Sequence, residues 1–140
     1  MHRAVIDTNI LVSGFISPLS HPWEIENRWR KGEFILITSL LIIDEINRVL
    51  HLTRIQHKYH ISEPDIQAFI LALMYHTYCS AGRLVLKGVA PDPGDDKIIS
   101  CAVEAMADFI VTGDKKLREI KAYRGIRIIN AESFVKILDV

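Results

Sequence analysis

Asp92-Pro93-Gly94-Asp95-Asp96-Lys97-Ile98-Ile99-Ser100-Cys101-Ala102-Val103-Glu104-Ala105-Met106-Ala107-Asp108-Phe109-Ile110-Val111-Thr112-Gly113-Asp114-Lys115-Lys116 reads in order as a turn, a helix, a buried strand and a loop that ends in a carboxylate. Asp92-Pro93-Gly94 is a turn signal. Asp95 follows where a helix N-cap belongs, ahead of Ile98, Ile99, Ala102, Val103 and Met106 at helical spacing. Phe109-Ile110-Val111 has the apolar character of a short strand covered on both faces. Thr112-Gly113-Asp114 then falls just past its C-terminal end, the edge at which open α/β sheets build their sites. A second strand with the same ending opens the chain, Ala4-Val5-Ile6-Asp7-Thr8-Asn9. Asp7, Asp95 and Asp114 are therefore predicted to meet at one sheet edge, where three acids suggest a divalent cation.

The chain has 140 residues, enough for a single domain spanning 1–140 with a core that needs no disulfide staples. Lys plus Arg and Asp plus Glu both number 17, so no global basic field announces nucleic acid and any such contact has to come from local patches. No apolar run approaches the roughly 18 to 20 residues of a membrane span, and the N-terminus lacks the basic and apolar segments of a signal peptide. A soluble, cytoplasmic protein is expected, without a membrane partner. Cys79 and Cys101 form no CxxC pattern and are expected as reduced core thiols.

From the N-terminus, strands are predicted at Arg3 to Ile6, Phe34 to Ile37, Leu84 to Leu86, Phe109 to Val111 and Ile126 to Ile129. Helices are predicted from Asp7 to Ser13, from Trp23 to about Arg30, from the Thr38-Ser39 cap to about Leu50, from Ser62 to roughly Ser80, and after Asn130 to near Leu138. Residues 48–60 read as a basic helix-to-helix connection, and Leu117 to Tyr123 as a basic helical turn. Alternating strands and helices with doubly apolar strands imply an α/β fold, a central parallel sheet of about five strands covered on both faces.

On the helix after Ser39, Ile42, Ile46, Val49 and Leu50 share one face, which places Glu45 at its border and points Asp44 away. Glu45 thereby joins Asp7, Asp95 and Asp114 as a candidate, with Asp92 a fifth acid nearby. Clustered carboxylates repel unless a cation neutralises them. Oxygen-only ligation favours Mg²⁺ or Mn²⁺ over zinc. Thr112 is placed to hydrogen-bond a carboxylate, Asn9 to orient Asp7 or cap the first helix, and Asp92 to support the site from the turn. Lys115, Lys116 and Arg118 lead a basic cluster after Asp114, continued by Lys121, Arg124 and Arg127, that can meet a nucleic-acid backbone. His57 and His60 read as surface residues, and Trp23 and Trp29 as packing or interface residues.

In this order the residues resemble the PIN-domain ribonucleases, in particular the VapC-like toxins of toxin-antitoxin pairs. The motifs are Asp7-Thr8-Asn9 after the first strand, Glu45 in Glu-Ile-Asn-Arg-Val-Leu, Asp-Pro-Gly-Asp-Asp-Lys at 92–97, and Val-Thr-Gly-Asp-Lys-Lys-Leu at 111–117. The resemblance covers nearly the whole chain. It implies a three-layer α/β/α fold and Mg²⁺- or Mn²⁺-dependent hydrolysis of single-stranded RNA, leaving 5′-phosphate and 3′-hydroxyl ends. It assigns metal binding and catalysis to Asp7, Glu45, Asp95 and Asp114, with Thr112 and Asn9 as supports, and chooses Asp95 over Asp96 because Ile98 and Ala102 stand at the family's apolar and alanine positions. It also implies an antitoxin partner and a homodimer or higher homo-oligomer. Lys115 and Lys116 stand where some relatives carry a further acid, so a second ion would be weakly held. Two other classes fit parts of the pattern: a non-catalytic PIN-type partner-binding module, and a phosphorelay receiver-like domain. The receiver pattern needs paired acids after the first strand and a lysine after the last, and Asp7 and Ile128-Ile129-Asn130 supply neither.

Overall fold

The computed structural model describes all residues, 1–140. Strand β1 (Arg3–Ile6) lies in the middle of the sheet because Ala4, Val5 and Ile6 are wholly apolar and wholly buried, which demands cover on both faces. Helices α1 (Thr8–Ile16) and α2 (His21–Arg30) lead to β2 (Ile35–Ser39), which pairs parallel with β1. Helices α3 (Leu40–Leu50), α4 (Thr53–Tyr59) and α5 (Glu63–Tyr75) lead to β3 (Tyr78–Ser80), parallel to β2. A long segment then returns through a 3-10 turn (Pro93–Asp95) into α6 (Asp96–Glu104) and β4 (Phe109–Val111), parallel to β1 on its other side. After α7 (Lys115–Arg118), β5 (Ala122–Tyr123) and β6 (Ile126–Ile129) complete the sheet, and α8 (Ala131–Leu138) packs against α2. The order is β3-β2-β1-β4-β6-β5, parallel except for the β5/β6 pair.

The crossovers run one way from β1 to β2 to β3 and the other way from β4 to β6. With right-handed connections, that reversal leaves a crevice at the C-terminal ends of β1 and β4. The expected three-layer α/β arrangement with a mainly parallel central sheet is therefore present, with six strands.

Several elements depart from the sequence reading. Helix α5 stops at Tyr75 instead of reaching Ser80, because the Thr77 hydroxyl donates to Leu73 O at 2.6 Å and the buried Trp29 indole donates to His76 O at 2.8 Å, which takes up carbonyls at the helix end. The third strand is Tyr78–Ser80, not Leu84 to Leu86. Residues 82–90 instead form a strap laid along α6, whose side chains Asp96, Ser100 and Glu104 stand one turn apart on one stripe. Glu104 accepts from the N–H groups of Gly82 and Leu84, Ser100 from Leu86, and Asp96 from Gly88, Val89 and Ala90. Six of the strap's N–H groups are thus taken up by helix side chains without a neighbouring strand. Residues 53–59 are a short helix where a connection was expected, and the turn after Asp114 is confined to Lys115–Arg118 before β5 begins. Cys101 is buried in α6, but Cys79 is exposed on β3 and is not a core thiol.

Candidate active site

Asp7 is the first residue after β1, and its N–H donates to Val111 O at 2.9 Å, so the ladder with β4 carries the acid over the crevice. Thr112, fully buried, donates its hydroxyl to Asp7 Oδ2 at 2.7 Å and accepts the N–H of Asp114 at 3.1 Å. One side chain therefore ties the acid of β1 to the backbone of the acid beyond β4, residues 105 apart from Thr112 in the first case and two in the second. Burial raises the Asp7 pKa above its ordinary value. The Thr112 hydrogen bond opposes that shift; Glu45 adds to it and Lys97 relieves it.

Asp95 stands at the N-cap position of α6 but makes no cap hydrogen bond, contrary to the role expected from its place in the sequence. The preceding turn is fixed by Asp92, whose Oδ1 accepts the Gly94 N–H at 2.9 Å. That leaves the Asp95 carboxyl free to face the other acids. Its pKa is pushed up to about 7, by burial first, then by the Asp7 charge, a hydrogen bond with Asp114, and the charges of Asp114 and Asp92. Asp114 in turn caps α7, with Oδ1 accepting from Lys116 N at 2.9 Å and Leu117 N at 3.2 Å. The neighbouring acid Asp96 faces elsewhere: three strap N–H groups hold its carboxyl below the usual range.

Glu45 lies half-buried on α3 while Asp44 is exposed, as the helical phase predicted. Its carboxylate pairs with Lys97, whose ammonium also donates to Gly94 O at 2.6 Å. Asn9 is exposed on the first turn of α1, which begins without a side-chain cap. Lys115 and Lys116 are exposed, and Arg118 is half-buried with its Nε enclosed and unpartnered. The sequence reading gave Lys97 no role. A lysine in the first turn of a helix opposes the helix dipole, and that local misfit was the available signal.

Asp95 thus feels both Asp7 and Asp114 at the crevice, Thr112 links those two to each other, and Glu45 stands by with its own cation. No three of these side chains close to ligand distance about a common point as they stand. The donor set nevertheless suits a hard divalent ion, because all its ligating atoms are carboxylate oxygens. The Asp95 pKa is raised first by burial and then by the neighbouring acids, and a proton, or a metal ion in its place, relieves both.

Among solved structures the fold is similar to a chain of VapBC2 from Rickettsia felis bound to a DNA fragment from their promoter, at 17% identity and TM-score 0.57, over 91% of this chain and 98% of that one. It is also similar to the PIN domain of human SMG5, at 15% identity and TM-score 0.51, over 96% and 97%. No curated protein sequence matches. Both structural likenesses concern the fold. The sequence itself matches a family model described as PIN domain over residues 3–116, which takes in β1, Glu45, Asp95 and Asp114, and the chain belongs to the PIN domain family.

Proposed function

We propose that this PIN domain is a metal-dependent endoribonuclease that hydrolyses phosphodiester bonds in single-stranded RNA, acting as the toxin of a toxin-antitoxin pair. The observation that carries the reading is Thr112, which holds the Asp7 carboxylate and the Asp114 backbone together at the β1/β4 crevice, with Asp95 beside them raised in pKa by burial and by both of these acids. Asp7, Asp95 and Asp114 would hold a Mg²⁺ or Mn²⁺ ion, with Glu45 at the flank. When bound, such an ion supplies a water of lowered pKa and a Lewis-acid contact to a phosphoryl oxygen. Thr112 keeps the Asp7 carboxylate in one orientation, so the reacting water meets a fixed oxygen. Lys115 and Lys116, exposed beside Asp114, face the RNA backbone and bring its phosphates to the acids. The R. felis complex is a precedent for a protein partner of this fold, and an antitoxin that covers the crevice is part of the proposal. Cleavage of an unstructured RNA with Mn²⁺ and not with chelator is the direct test; a protein that binds RNA or a partner but never cuts would favour a non-catalytic module.

Two substitutions refine it. Glu45→Gln is expected to lower cleavage roughly a hundredfold or more, the scale of a misplaced catalytic constellation, while Asp44→Asn stays near wild type. Equal losses in initial rate would refute the phase argument. Replacing Lys115 and Lys116 together with alanine should weaken RNA binding and reduce the slope of log Kd against log salt by about 1.4, or roughly 0.7 per lost phosphate contact on a single strand. An unchanged slope would assign both lysines to the surface alone.

A further inference from the structure

Lys97 carries a charge that the reading above does not use. It is the second residue of α6, two positions after Asp95. Its ammonium pairs with Glu45 Oε2 and donates to Gly94 O at 2.6 Å, so it is held from α3 and from the turn before its own helix. The two side chains are only 22% and 25% exposed, which separates them from the solvated ion pairs of the surface, such as Lys136 with Glu132 at 75% and 56%. A half-buried ammonium with two fixed oxygen partners is a preorganised cation. It is also set within the site: both Lys97 and Glu45 act on the buried Asp7, in opposite directions.

We infer that Lys97 is a built-in counter-ion that occupies Glu45, so that the site takes one divalent cation and not two. The inference rests on the proposed metal site at Asp7, Asp95 and Asp114. Charge counting supports it. Four carboxylates are offset to within one charge by one divalent ion and one ammonium, whereas a second divalent ion would have to displace Lys97 or sit beside it. A second divalent ion held by Glu45 would stand next to the ammonium that already pairs with it, and like charges repel. Glu45 then serves to hold the ammonium against the acid cluster, and Lys97 is a positioning residue whose charge stands in for a second ion.

The test is Mn²⁺ titration of the metal-free full-length protein, followed by calorimetry and by the electron paramagnetic resonance signal of free Mn²⁺, with no RNA present. Wild type and Lys97→Arg are expected to bind one ion per chain, and Lys97→Met two. Adding Glu45→Gln to Lys97→Met should remove the second ion. One ion in Lys97→Met, two in wild type, or a second ion that survives Glu45→Gln overturns the inference and leaves the nuclease reading standing. Failure of every protein to bind Mn²⁺ overturns both. Melting in chelator establishes that each variant is folded, and Lys97→Gln carries the same comparison if the methionine variant is not.

Discussion

Asp95→Asn is expected to melt higher than wild type in chelator, to gain less on adding Mn²⁺, and to lose RNA cleavage. The carboxyl makes no cap hydrogen bond, so replacing it removes no helix cap. What it removes is a charge that is both partly buried and crowded, since burial first, and then Asp7, Asp114 and Asp92, raise the Asp95 pKa. Relief of that repulsion at a partly solvated position is on the order of 1 to 3 kcal/mol, or a shift in Tm of about 3 to 10 °C for a domain of this size. Loss of one strong ligand then shrinks the stabilisation that metal binding adds through mass action. Melting curves with chelator and with Mn²⁺, run beside a cleavage assay, give both readouts. A variant that still cuts, or that gains as much from Mn²⁺ as wild type, would remove Asp95 from the proposed metal site.

A second large effect lies away from the crevice. Glu26 of α2 is 6% exposed, its Oε2 has no hydrogen-bond partner, and burial pushes its pKa up to about 8, against only the opposing charge of Arg30. The folded chain therefore keeps a proton on Glu26 that the unfolded chain has released above its ordinary value of 4.5. Folded protein binds more protons in that window, so stability falls as pH rises from about 5 to about 8, by up to about 1.4 kcal/mol per unit. Glu26→Gln should match wild type near pH 5 and exceed it by on the order of 3 kcal/mol above pH 8. Parallel pH profiles of urea-derived stability for the two proteins would show that Glu26 is not a buried, unpartnered acid. The same carboxylate explains Gly14 of α1. A methyl group there would lie 2.0 Å from Glu26 Oε2 and 2.8 Å from Pro22 O, and the second contact is backbone that cannot swing aside. Gly14→Ala should therefore cost about 1 to 3 kcal/mol, only partly recovered in a Glu26→Ala background.

The parts of this molecule that were legible from sequence are those in which one residue type leaves one physical option. Ala4-Val5-Ile6 and Phe109-Ile110-Val111 must be covered on both faces, and a strand so covered carries the acid that follows it to the crevice at its C-terminal end. The phase of α3 separated Glu45 from Asp44 because Ile42, Ile46 and Leu50 are fully buried. Legibility failed where side chains replaced backbone as hydrogen-bond partners. Leu84-Val85-Leu86 has the composition of a strand, but the N–H groups of Leu84 and Leu86 are claimed by Glu104 and Ser100 on a helix, which no local pattern around 84–86 reveals. Asp95 looked like a cap because it precedes a helix, while Asp92, three residues earlier, holds the turn. The role of Lys97 depends on Glu45, which lies 52 positions back on another helix, a partnership that no local pattern around 97 carries.

The strap along α6 has an evolutionary consequence. Between its two glycines, Gly82 and Gly88, its path is set in large part by Asp96, Ser100 and Glu104, which grip main-chain N–H groups that every amino acid except proline possesses. The exposed letters at 85 and 87 can therefore be rewritten while the rail beneath them stays in place. Leu84, Val85, Leu86 and Lys87 line a cavity of about 460 Å³ whose wall also includes Pro93 and Lys97. Descendants of one such domain can diversify the surface beside their acids by mutation in a few adjacent codons, with the sheet, the helix and the crevice inherited unchanged.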